Sequence, residues 1–348
     1  MKVITVSTIV LGALIGLFGI FLFISTVNDY RPDSEIVLFS SSKPGIVDTD
    51  STMSLIIWNI GYAGLDASMD FFYDGGEQVR PEKARVKENL NGIASTLQDY
   101  NTFDFILLQE VDKKSKRSYR FDEVTRIKEV FPGYYSSFGL NYRVWFVPVP
   151  VRQPMGSVKS GLQTLSSRVP RKVVRHNFPG NYRWPLKLYM LDRCFMVSYF
   201  PTTRGNEFVL VNTHNSAYDD GALREGQMDY MRDFLLEEYA RGNYVVVGGD
   251  WNQSPPDFQP LFDSERFDRD NFTMIEFSYP ELGWEWVYDA SVPTNRRVKT
   301  AYDPLKSPVT QIDQFLISPN VNVVEVRGIE QEFRYSDHQP VTMVIELD

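Results

Sequence analysis

The sequence predicts an α/β protein of two stacked sheets flanked by helices, carried behind one apolar N-terminal helix. Short runs rich in β-branched and aromatic residues recur from Leu55 onward, and two amphipathic helical patterns lie between them. A charge-free apolar stretch occupies the N-terminus.

That stretch, Val3 to Ser25, is long enough to cross a bilayer as a helix. Lys2 precedes it, and a mostly acidic flank of Asp29, Arg31, Asp33 and Glu35 follows, so the positive-inside rule puts the N-terminus in the cytoplasm and the remainder outside. A cleaved signal peptide is the competing reading, but its apolar region spans about 7–15 residues and ends in an A-x-A-like site. Residues 1–27 are therefore expected to be an uncleaved signal anchor, with a secreted protein as the outcome if the segment is cleaved. Residues 28–52, rich in Ser, Asp, Pro and Thr, read as a polar linker, and 53–348 as one folded domain.

A content of 43% hydrophobic and 23% charged residues excludes bulk disorder. The net charge of −9 gives no whole-molecule attraction to a polyanion, although a local basic patch can still bind phosphate. Cys194 is the only cysteine, so an intramolecular disulfide and a Cys-rich zinc site are both excluded and any metal must be held by oxygen or imidazole.

The expected strands are Leu55–Trp58, Phe103–Leu108, Val144–Val149, Phe195–Phe200, Phe208–Asn212, Tyr244–Val247, Ile312–Ile317, Val321–Val326 and Val341–Leu347. Pro81 followed by Val86, Leu90, Ile93 and Leu97 predicts a helix with Pro in its first turn. A second helix is predicted from about Ala222 to Arg241, with Met228, Met231, Leu235 and Tyr239 on one face and Gly242 as its stop.

Polar groups at strand ends are held rigidly yet face solvent, which is where a site is sought. Asn59 ends the first strand, and taken alone it reads more readily as a turn-forming Asn. Gln109-Glu110 ends the second; a buried Glu needs either a metal or an ion-pair partner. Asn212-Thr213-His214-Asn215 ends another strand with one of three histidines. In Gly248-Gly249-Asp250-Trp251-Asn252, the glycines permit a tight backbone, and Asp250 and Asn252 point the same way if the chain stays extended. Asp313 sits inside a β run, a costly place for an unpaired acid, and Asp337-His338 precedes the last strand.

In this order the motifs resemble those of the endonuclease/exonuclease/phosphatase superfamily over about residues 54–348. The resemblance implies a four-layer α/β sandwich, two mainly antiparallel sheets face to face with helices outside and the site at one end. It implies that Asn59, Glu110 and Asp337 surround a Mg2+ ion (or Mn2+ or Ca2+), a hard cation that prefers oxygen ligands. Asp250, helped by Asn252, would orient or deprotonate water, and His338, held by Asp313, would hydrogen-bond phosphate or act as general acid/base. His214 matches the second histidine of the deoxyribonuclease I and sphingomyelinase branches. Some members carry an acid two residues after the first Asn, where this chain has Gly61, so the resemblance implies no second metal there.

The expected activity is metal-dependent phosphoester hydrolysis, as a phosphodiesterase, on a lipid, sugar-phosphate or nucleic-acid substrate; a nuclease and a non-catalytic phosphate-binding protein are the alternatives. No protein partner is predicted. Arg117, from the basic cluster after Glu110, is the preferred phosphate contact, with Asn212 and Asn215 as further substrate-binding residues. Arg168, Arg171, Lys172, Arg175, Arg183 and Lys187, interleaved with Phe178, Tyr182 and Trp184, read either as a phosphate-and-base track or as a solvated loop. The loop Asp70–Gly76 is expected either to rim the cleft or to form a surface turn, and His176 to lie on the surface.

Overall fold

Every run read as a strand lies in or overlaps one in the structure, a computed structural model that describes residues 2–217, 221–269 and 273–348. Helix α1 spans Lys2–Val27, followed by β1 Glu35–Ser40, β2 Met53–Asn59, α2 Lys83–Gln98, β3 Phe105–Asp112, α3 Glu123–Lys128, β4 Tyr135–Val147, β5 Gly156–Ser166, β6 Lys172–Asn177, β7 Cys194–Pro201 and β8 Glu207–His214. Then come α4 Ala222–Ala240, β9 Tyr244–Asp250, β10 Glu285–Val287, β11 Asn295–Arg296, β12 Val309–Thr310, β13 Asp313–Ile317, β14 Val321–Gly328 and β15 Val341–Leu347.

The strands form a six-stranded sheet, ordered β14-β15-β2-β3-β5-β4, and a seven-stranded sheet, ordered β1-β6-β7-β8-β9-β13-β10. Only β2/β3 and β8/β9 pair in parallel within them. Leu55, Ile57, Phe105 and Leu107 of one sheet pack on Phe208, Leu210, Val246 and Phe315 of the other. The opposite faces of these strands are covered too: Val86, Leu90, Ile93 and Leu97 of α2 meet Ile56, Trp58, Ile106 and Leu108, while Met228, Met231 and Leu235 of α4 meet Val209, Val211, Val245 and Val247. The expected four layers follow from this two-sided burial, which is why β2, β3 and β9 read as continuous apolar runs. Each fully buried Val, Leu or Ile contributes roughly 1.5–3 kcal/mol.

Three strands of six residues or more fall outside the expected runs. In β5, Ser, Gly and Gln occupy positions where the neighbouring chain comes close; a Cβ at Gly161 would collide with the carbonyl of Gly139 on β4. The basic stretch contains β6, and its charges are largely consumed internally. Arg168 pairs with Asp104 at 2.5 Å and Arg171 with Glu207 at 2.5 Å, while buried Arg175 donates to the Leu140 and Asp192 carbonyls. His176, expected on the surface, is buried and stacks on Phe195 at 4.8 Å, where burial lowers its pKa to about 4.

The third is β1, which lies in the segment expected as a linker. It pairs antiparallel with β6, and Val47 beyond it is fully buried in the central core. Its run Ile36–Phe39 is apolar but short and, as an edge strand, fully buried at no position, while the polar residues that dominate 28–52 lie on either side of it. The folded unit therefore begins before residue 53.

Candidate active site

The parallel pairs β2/β3 and β8/β9 end on the same side of the sandwich, and β13 and β15 begin there, which gathers the strand-end residues into one cluster. Asp250 stands at its centre. Register pairs it with His214 on one side and Asp313 on the other. This close approach requires Gly249, whose φ is +148° and whose Cβ would collide with the carbonyl of Thr213.

The Asp250 Oδ2 accepts a hydrogen bond from Asn59 Nδ2 at 2.9 Å across the two sheets, and His214 Nε2 lies 3.3 Å from it. His338 Nε2 is 3.8 Å from the same oxygen, and Asp250 Oδ1 accepts from the Asn252 backbone N–H at 2.9 Å. Burial drives the His214 imidazole well below its ordinary range, with Arg193 and His338 acting in the same direction. It is therefore neutral, with Nε2 facing the Asp250 carboxylate. The Asn252 side chain donates to the Asn215 carbonyl at 2.9 Å from a backbone of φ +52°, so it braces the loop after β8 as much as it faces the cleft.

Behind this cluster, His338 Nδ1 is 2.8 Å from Asp313 Oδ2. Burial opposes charge on the imidazole, but Asp313 and then Asp250 outweigh it and lift His338 to about 10. Burial also raises Asp313, to about 6, which remains below His338, so at neutral pH the proton of the pair sits on imidazole. Two residues that carry no mark in the sequence complete the pair. Thr294 Oγ1 accepts from the backbone N–H of Ile312 and of Asp313, each at 3.0 Å, and the Asn295 amide sits 3.0 Å from His338 Nε2. Neither has a charge or a strand-end pattern to mark it.

Glu110 projects from a bulge where the β3–β5 register shifts between Leu108 and Val111, and its φ is +54°. A non-glycine residue held there stores strain of order 1–3 kcal/mol, the pattern of a side chain aimed for function. Asp337 faces the same corner. Burial, opposed by His338 and reinforced by Glu110, lifts its carboxyl to about 7. A Cβ at Gly61, where φ is +49°, would stand 2.7 Å from Asp337 Oδ1, so only a glycine leaves room there for the Asp337 carboxyl.

The donor set fits a hard divalent cation. Glu110 raises the cost of ionising Asp337, and Asn59 Oδ1 beside them accepts the Gly61 backbone N–H at 3.0 Å. A second grouping also offers metal-ligating atoms, since one atom each of Asp250, Asp313 and His338 falls within 4.8 Å of the others. There, however, the Asp313–His338 hydrogen bond already occupies Nδ1.

Three residues expected to touch substrate do not face it. Arg117 is buried, with its guanidinium 3.0 Å from Asp112, 3.9 Å from Glu110 and 3.7 Å above the Tyr62 ring. Asn212 is fully buried, donating to the Leu108 and Gln163 carbonyls and accepting from Gln109. Asn215 is fully buried against Thr213 and Met228. All three position the site from behind. Arg117→Met is expected to destabilise the fold by about 3–5 kcal/mol by leaving Asp112 buried without its counter-charge. A urea midpoint within error of the parent would refute this.

Two stacked sheets with helices outside and an acid, amide and histidine cluster at one end define a phosphoesterase-type architecture. The chain belongs to the Endonuclease/Exonuclease/phosphatase family, whose sequence profile matches residues 56–338 and whose named activities cleave phosphoester bonds. No curated protein matches the sequence. Among solved structures, an endonuclease/exonuclease/phosphatase from Beutenbergia cavernae is similar at 19% identity, covering 85% of this chain and 72% of that one with a TM-score of 0.55. ANGEL2, a 2',3'-cyclic phosphatase in complex with adenosine-2',3'-vanadate, is similar at 13% identity, covering 85% and 96% with a TM-score of 0.55. The human Nocturnin catalytic domain with bound sulfate is similar at 16% identity, covering 88% and 100% with a TM-score of 0.53.

Proposed function

We propose that the chain is a divalent-metal-dependent phosphodiesterase, anchored by α1 with its catalytic domain outside the cytoplasm. The observation that carries the hydrolase reading is the convergence on Asp250 Oδ2 of Asn59 at 2.9 Å, His214 at 3.3 Å and His338 at 3.8 Å, with Asp313 behind His338. Asp250 orients a water and takes its proton as the water oxygen bonds to phosphorus. Cationic His338 donates a hydrogen bond to the phosphoryl oxygen, and Asp313 keeps its ring charged and aimed. Glu110, Asp337 and Asn59 would hold the ion, which when bound stabilises charge on phosphate and on the departing alcohol. The reading as an anchor rests on Val6–Val27, a helical span with mean hydropathy 2.5 that stands exposed from Val6 to Ile20 and meets the domain only at its last turns.

With Mg2+ or Mn2+, the purified full chain in detergent is expected to hydrolyse bis-p-nitrophenyl phosphate, to lose this activity in EDTA and to regain it when metal is restored. Turnover that persists in EDTA, or none with any divalent cation on any phosphoester, would overturn the reading. The internal ion pairs of Arg168 and Arg171 and the burial of Arg175 against backbone carbonyls remove most of the support for an extended nucleic-acid track.

A further inference from the structure

The span Val6–Val27 has 22 residues, about 33 Å of helix, and the hydrocarbon core of a bilayer takes about 30 Å. Its last turn is therefore level with the headgroups, and that same turn is packed against the domain. Ser25 is buried, with its Oγ 3.0 Å from the Trp145 indole nitrogen and 3.1 Å from the Tyr189 hydroxyl. Thr26 Oγ1 accepts from Trp184 Nε1 at 3.2 Å, and Phe21 stacks on Tyr189 at 6.0 Å. With β1 already in the sheet from Glu35, little slack separates bilayer from domain.

The end of the sandwich that meets α1 is the catalytic end. Asp112, at the site end of β3, pairs with Ser160 of β5, and the hairpin then runs past it to the Val147–Gly156 pair. Trp145 and Phe146 contact Phe21 from that projecting part. A chain of contacts links site to helix: Glu110 to Arg117 at 3.9 Å, Arg117 to the Tyr142 ring at 5.8 Å, Tyr142 Oη to the Tyr189 carbonyl at 2.9 Å, and Tyr189 to Phe21. Around the helix end, apolar side chains stand in the open: Val151 is 88% exposed, Trp184 54% and Leu186 51%, with Val149 beside them. Exposed Arg152 and Arg183 accompany them. Tryptophans flanking an apolar helix end, with apolar tips and cations beyond, match the chemistry of the bilayer interface.

We propose that the catalytic end rests on the outer face of the same bilayer, seated by Val149, Val151, Trp184 and Leu186, and that the substrate phosphoester belongs to a lipid headgroup in that leaflet. This rests on the hydrolase and anchor readings above. Hydrolysis joins the water oxygen to phosphorus, breaks one ester P–O bond and returns a proton to the departing alcohol. Holding site and headgroups at a fixed short distance raises their effective concentration, which a lifted domain would lose.

The test uses the full chain in vesicles of phosphatidylcholine and phosphatidylglycerol with Mn2+, following lipid ester cleavage and bis-p-nitrophenyl phosphate hydrolysis in the same sample. The combined Val151→Asp, Trp184→Asp and Leu186→Asp variant, and separately a Gly/Ser insert of about 20 residues after Val27, are each expected to lose about tenfold or more of the lipid turnover while retaining soluble turnover. Parent vesicles that cleave the soluble ester but no lipid, or variants that cleave lipid at the parent rate, would overturn the proposal. A parent that cleaves neither ester overturns the hydrolase reading, and with it the lipid substrate. Docking has its own readout, because Cys194 is buried and a Val151→Cys variant takes an environment-sensitive dye at one accessible thiol. Blue-shifted emission quenched by nitroxide lipids supports docking, and a water-like spectrum refutes it.

Discussion

Asp250→Asn is expected to lower turnover by about ten-thousand-fold, the upper end of what removal of a positioned general base costs, with a loss of about 1–3 kcal/mol of stability because the Asn252 backbone N–H loses its acceptor. The substitution keeps the shape of the side chain, and its amide oxygen can still accept from Asn59, which donates to Oδ2 in the parent. The group that takes the proton of water is what disappears. Replacement by Ala is a poorer test, since it leaves the buried Asn59 amide without its acceptor. Turnover within tenfold of the parent, in a variant that unfolds cooperatively in urea, would remove Asp250 from the chemistry.

The second large effect concerns the Asp313–His338 pair. His338→Gln is expected to cost about a hundred- to ten-thousand-fold in kcat, as loss of a positioned acid/base does. Asp313→Asn tests how the pair works. Asp313 is the largest of the influences that lift His338 to about 10, and the parent imidazolium therefore persists through neutral pH and is lost only as pH rises through about 10. Removing that carboxylate while keeping its size lets burial pull the imidazole back down, so the alkaline limb of kcat/KM is expected to move several pH units toward neutrality. A limb that stays in place while activity falls would assign Asp313 a purely structural role. The same raised pKa gives the sign of its stability contribution: fully present below the unfolded value near 6.5 and lost as pH climbs through 10.

Most of the site was legible because strand-end polar residues interrupt otherwise apolar runs. Glu110, Asp250 and His338 stand where a buried charge must have a purpose, and their order along the chain led to the family. Arg117, Asn212 and Asn215 were expected to touch substrate, and the structure buries all three among protein partners. A basic or amide side chain near a motif looks identical in sequence whether it reaches into the cleft or braces its wall, and only burial and partners separate the two. Thr294 and Asn295 were invisible because the loop that carries them has no periodicity and meets Asp313 and His338 only after the chain has folded.

By itself the sequence determined the layered class, the apolar N-terminal helix, the two packing helices and the carboxylate, amide and histidine set, since each is encoded in local periodicity or in the cost of burying charge. Tertiary structure alone decided that residues 35–40 belong to a sheet rather than a tether, that the basic stretch is spent on internal ion pairs, and that the catalytic end is the one that receives helix α1. These depend on which distant segments become neighbours, and strand register and cross-sheet contact leave no periodic trace in the residues that make them.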